Sequence, residues 1–225
     1  MKPLLKITLL WTALCVLAPK LACGAPLINT NILLTDQLPT DPVYDQTKTN
    51  QAVKPSTPIF SDTSGMCAHA FPVTAPDGHQ ITLAEWTKAR GTAQVQCVAG
   101  GTQVTLHLTG LIPKGVYTIW VGVFTSPGMT PNFANYIAEG ALGAPNGSQN
   151  KIVAGSDGSA DLSVLHPFGQ LGEGFGPSLN CLLDEFEFIL AGAYHPDGKT
   201  HGVYPGVDAS DWATRSICHP DCRLE

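Results

Sequence analysis

The sequence predicts an all-β fold: an antiparallel β-sandwich, of the immunoglobulin-like or Greek-key type, with one or two short helices. Three observations predict it. Apolar and polar residues alternate with period two in several short runs, as in Ala93-Gln94-Val95-Gln96-Cys97 and Val104-Thr105-Leu106-His107-Leu108. Turn formers are dense, with 23 Gly and 18 Pro among 225 residues, and they fall between those runs. Charged residues make up only 13% of the chain, and helical periodicity is confined to one short stretch.

The N-terminus reads as an export signal over residues 1–24. Lys2 and Lys6 flank an apolar run from Leu4 to Ala18, Pro19 breaks it, and Ala22-Cys23-Gly24 supplies the small residues of a cleavage site. Lys20 stands where a lipoprotein signal needs an apolar residue, which argues against a lipid anchor at Cys23. No later run is long and apolar enough to span a bilayer, so the mature chain is expected to be secreted or periplasmic, with no integral membrane segment. Removal of the signal takes Lys2, Lys6 and Lys20 and no acid, leaving 9 basic against 18 acidic residues. Such a balance disfavours nucleic acid as a partner.

Residues 25–65 are rich in Thr, Asn, Gln and Pro without a sustained apolar period, and are expected to form a flexible arm. The sandwich domain is expected over 66–225, long enough for one core. Thr82-Leu83-Ala84-Glu85 has capping-box spacing and predicts a helix over Leu83–Arg90. The alternating runs on either side of Gly100-Gly101 predict a hairpin with Cys97 on its inward side. Val116 to Phe124 is apolar on both faces, as in a central strand covered on both sides, with Tyr117 and Trp120 expected in the core.

Residues 125–151 read as a long connection, with a helical turn expected within Asn132–Glu139. Ile152 to Leu165 reads as a second hairpin around Gly155-Ser156-Asp157-Gly158. The Gly-rich stretch 167–180 lacks the following helix that a dinucleotide fingerprint requires. Asp184 to Val203 carries the longest strand pattern, closed by Pro196-Asp197-Gly198, and Asp208 to Thr214 suggests a further helical turn.

The strings GLIPKGVYTIW, GAPNGS and SDGSADLSV, spanning about 100–165, resemble secreted bacterial β-sandwich domains without an assigned function. That resemblance implies fold class and export, and no catalytic residue. The order Cys97…Trp120…Cys181 resembles that of immunoglobulin-type sandwiches, although an extra strand intervenes, and it implies a Cys97–Cys181 bridge. Read by themselves, Cys67, Cys97, Cys181, Cys218 and Cys222 of the mature chain leave the pairing open, including a local Cys218–Cys222 loop.

Catalytic motifs are missing. There is no GxSxG elbow and no pair of CxxC motifs. The His-x-His pair of copper–zinc superoxide dismutases is absent, as is the Cys, His and Met spacing of blue-copper domains. Asp184, Glu185 and Glu187 fit a solvated strand entry better than paired catalytic carboxylates. The leading expectation is therefore a non-catalytic binding or surface module, with no resident cofactor and a protein or glycan partner. Tyr136 and Tyr204, both expected on loops, are its candidate contact residues.

The alternative is a divalent metal, and conceivably a metalloenzyme, at His195 and His201. A two-residue Asp197-Gly198 turn would face His195 and His201 opposite ways, whereas a three-residue Pro196-Asp197-Gly198 loop, with Gly198 left-handed, would pair His195 with Lys199 and set them on one face, about 7–8 Å apart on a diagonal. Glu187 lies eight strand residues away, about 26 Å, too far to serve as a third ligand. The plainer expectation is a polar hairpin tip with both histidines exposed.

Overall fold

The computed structural model describes residues 27–33, 54–61, 71–126, 128, 135–168, 181–184, 187–204 and 213–218. The export signal and Cys23, Cys67, the 169–180 loop and Cys222 lie outside them. Two antiparallel sheets dominate. The first has the order β1-β4-β5-β9, built from Leu27–Leu33, Arg90–Val98, Gly101–Thr109 and Ala160–Pro167. The second has the order β11-β10-β6-β7, built from Ala213–Cys218, Glu187–His195, Val116–Phe124 and Tyr136–Ala141, with β8 (Lys151–Val153) also paired to β6. A small ribbon joins β2 (Phe60–Ser61) to β3 (Phe71–Pro72). No helix among the described residues is long and apolar enough to cross a membrane.

The β4–β5 hairpin forms as its alternation dictates. Gln96 pairs with Gln103 and Val98 with Gly101, so Ala93, Val95 and Cys97 face inward with Val104, Leu106 and Leu108. The capping box forms at Thr82 and Glu85, but the helix α1 spans only Leu83–Trp86 and Arg90 already begins β4. Central strand β6 is flanked by β10 on one side and by β7 and β8 on the other, and both its faces are largely buried.

Several expected elements differ. Ile152 to Leu165 is not a hairpin: the turn at Gly155–Gly158 closes with a 3.0 Å bond, but β8 pairs with β6 while β9 pairs with β5. The segment crosses from one sheet to the other. A local turn looks the same in either arrangement, so alternation alone does not distinguish them. Tyr136–Glu139, expected as a helical turn, is strand β7, because β6 offers it a free edge. Ala213 and Thr214 likewise belong to strand β11 rather than to a helical turn. Within the N-terminal segment, Leu27–Leu33 adds β1 to the edge of β4, and Ile59 joins the core at 1% exposure.

Buried side chains from both sheets join one core, among them Val95, Leu106 and Val164 from the first and Ile119, Val121, Phe188 and Leu190 from the second. Cys97 and Cys181 are joined across it, with α-carbons 5.8 Å apart. Thr102 Oγ1 accepts from the Leu182 amide at 3.0 Å and so holds the 3-10 turn Leu182–Asp184 beside the bridge. At the opposite end of the long strand, Tyr194 is fully buried, 6.2 Å from Trp86 and 5.1 Å from Tyr117 between ring centroids. Its hydroxyl donates to the Thr74 carbonyl at 2.7 Å. Aromatic packing plus this bond fixes the end of β10, and alternation then places His195 on the other face of the sheet.

Candidate metal centre at the end of strand β10

His195 is the last residue of β10 and pairs with Val116, while Ala193 pairs with Thr118. The two polar side chains are thus diagonal neighbours on the outer face of the second sheet. Thr118 Oγ1 lies 2.8 Å from His195 Nε2 and accepts from the Trp120 indole at 2.9 Å. Trp120, expected in the core, instead lies on this outer face and is only partly buried. His195 is 1% exposed, which overturns the expectation of an exposed tip. Its ring is held within the fold.

Beyond His195 the chain does not continue as the predicted hairpin. Gly198 is left-handed (φ 71°) and its amide donates to the His195 carbonyl at 3.0 Å, so the expected tight turn forms. Among the described residues no strand pairs back from this turn onto β10, because that edge is taken by β11, where Ala213 pairs with Tyr194. Lys199 therefore does not sit opposite His195. The chain folds over the strand end, and His201 closes a short turn with Tyr204 through a 3.4 Å backbone bond. This return brings the His201 ring to 5.8 Å from that of His195 between centroids.

Asp197 completes the group. One carboxylate oxygen, Oδ1, accepts from the Lys199 amide at 2.9 Å and stabilises the turn. The other, Oδ2, lies 3.5 Å from His201 Nε2. Among the described residues, His195, Asp197 and His201 form the one cluster of three potential ligands, with one ligand atom from each within 4.8 Å of the others. Ligand atoms around a tetrahedral ion at about 2.0–2.2 Å sit about 3.3–3.6 Å apart, so binding requires a modest contraction. His201 and Asp197 side chains are 15% and 27% exposed and have room for it, while His195 stays fixed. Two imidazoles and one carboxylate suit zinc, copper, iron or nickel. Nε2 of His195 faces Thr118 Oγ1, so Nδ1 is the ring nitrogen that a metal ion would take.

Support for the His201 arm comes from a second loop. Gly147 is left-handed (φ 74°), and a β-carbon there would overlap the Gly202 carbonyl oxygen. The 144–150 loop thus packs directly on the backbone beside His201, and only glycine permits it.

The tyrosine candidates separate. Tyr204 is 59% exposed and adjoins the cluster through its turn with His201. Tyr136 lies on strand β7, not on a loop, and packs edge-on against Phe124 at 5.9 Å. Burial and the nearby Glu139 push its phenol up to about 12, and burial also raises the Glu139 carboxyl. The side chain of Cys218 is among those not described, although its backbone pairs with Ile189. Glu187 belongs to the opposite end of β10 and pairs with Phe124.

The sequence singles out the two histidines as candidate ligands; Asp197, Thr118 and Trp120 join them only in the fold. Asp197 had a readable signal: it stands two residues after one histidine and four before the other. The turn masks that signal, since aspartate is equally suited to it. No protein-family model matches the chain, and no curated protein gives a significant match.

Proposed function

We propose that this is an exported β-sandwich protein that binds a divalent transition-metal ion through His195, Asp197 and His201. The carrying observation is the convergence of those three side chains at the end of β10, anchored by the buried His195. The sandwich reading is supported by two antiparallel sheets sharing one core, and export by the N-terminal signal pattern and the buried Cys97–Cys181 bridge. A protein or glycan partner, with Tyr204 at the rim, remains compatible with a metal-stabilised tip.

Isothermal titration of zinc into purified mature protein tests this. The reading predicts one ion per chain in the wild type and none in His195→Ala with His201→Ala. Equal binding by both proteins would place any metal elsewhere, and absence of binding in the wild type would remove the metal function.

A further inference from the structure

We propose that Thr118 is the positioning residue of this centre, its hydroxyl serving both neutral tautomers of His195. It can donate to a bare Nε2 or accept from Nε2–H, and it accepts from Nε2–H when an ion occupies Nδ1. The inference rests on the metal reading above and concerns how that site is preset.

The Trp120 indole N–H can only donate, so its 2.9 Å bond consumes one lone pair of Thr118 Oγ1. What Thr118 has left for His195 at 2.8 Å is one proton and one lone pair. With Thr118 at 2% exposure and His195 at 1%, solvent is not a ready substitute for either. A hydroxyl turning about its C–O bond can therefore satisfy Nε2 as acceptor or as donor. Loading requires the Nδ1 lone pair, so the single proton of the neutral ring then sits on Nε2, facing Thr118 Oγ1. Coordination makes the remaining N–H more acidic, so its bond to Thr118 is stronger in the loaded state. Removing the hydroxyl then costs affinity and is not neutral. Trp120 acts one step further out, fixing the side chain of Thr118.

Zinc titration of Thr118→Val and Thr118→Ser, alongside the wild type, provides the test. Valine keeps the shape and removes the hydroxyl, and is expected to weaken zinc binding about 10–100-fold, while serine restores wild-type affinity to within about threefold. Nitrogen-15 spectra of the wild-type His195 ring supply a readout independent of variant folding. With zinc bound, the ring proton is expected on Nε2. Wild-type-like affinity in Thr118→Val, or an Nε2-ligated ring in the loaded wild type, would overturn the positioning role and leave the metal site standing. A wild type that binds no zinc overturns both.

Discussion

His201 Nε2 stands 3.5 Å from Asp197 Oδ2, while the other oxygen of the same carboxylate holds the turn at the Lys199 amide. One side chain thus shapes the loop and supplies its charge to the cluster, and substitution can separate the two roles. Asn at 197 keeps an oxygen for the Lys199 amide and loses the negative charge. Structural zinc sites bind with about 10–16 kcal/mol over four ligands, so one ligand accounts for about 3 kcal/mol, on the order of 100-fold in affinity. Asp197→Asn is predicted to lose about that in a zinc titration while its thermal midpoint without metal stays near that of the wild type. Asp197→Ala loses both.

Gly147 and Gly202 make a matched comparison. Both are left-handed, but a β-carbon on Gly202 meets only the Asn146 carbonyl oxygen at 3.7 Å, whereas one on Gly147 collides with the Gly202 backbone. Gly202→Ala is predicted to cost roughly 1–2 kcal/mol from backbone strain alone. Gly147→Ala is predicted to cost about 3 kcal/mol and to weaken zinc binding by displacing His201. Urea denaturation and titration of the two variants check both statements.

Acid sensitivity follows from His166. It is 3% exposed and its Nδ1 accepts from the Gly143 amide at 3.2 Å. Burial pushes its imidazole down to about 4 from an ordinary 6.5. Between those values the unfolded chain binds the proton that the folded chain refuses, so stability falls as pH drops from 6.5 to 4 and levels off below. The full effect is about 3 kcal/mol. His79 acts in the opposite sense: its side-chain bond to Asp77, and then that to Glu85, raise its imidazole. Its contribution is present below the ordinary histidine range and fades as pH rises through the raised value, and surface exposure keeps it small. Urea midpoints across this range are predicted to show a downward acid slope in the wild type that flattens in His166→Gln.

The Cys97–Cys181 bridge closes 84 residues of sequence separation and both its cysteines are buried. Replacing the pair with alanine is predicted to destabilise the protein by about 2–5 kcal/mol. In the native protein the bridge is predicted to resist mild reductant until the chain unfolds, a difference that thiol labelling with and without urea reads directly.

What was legible in the sequence was local. Alternation in Ala93–Leu108 gave the hairpin, its register side and the inward Cys97, and the two apolar faces of Val116–Phe124 marked a central strand. What was not legible depended on partners distant in sequence. Whether Ile152 and Leu162 share a sheet is decided by β6 and β5, not by the turn between them. The chain after Gly198 leaves the ladder because β11, more than a dozen residues on, occupies that edge. His195 is bonded to Thr118, and Thr118 to Trp120, across to β6, outside any local window. The two histidines carry a chemical signal, but the third candidate ligand, Asp197, is concealed by its equal fitness for a turn.

X-ray absorption at the zinc edge of the loaded mature protein tests the central claim most directly. The account predicts only nitrogen and oxygen ligands at about 2.0–2.2 Å, with the outer-shell scattering of two imidazoles, and the loss of one imidazole in His201→Ala. A sulfur ligand at about 2.3 Å, or an imidazole count unchanged by His201→Ala, would contradict it.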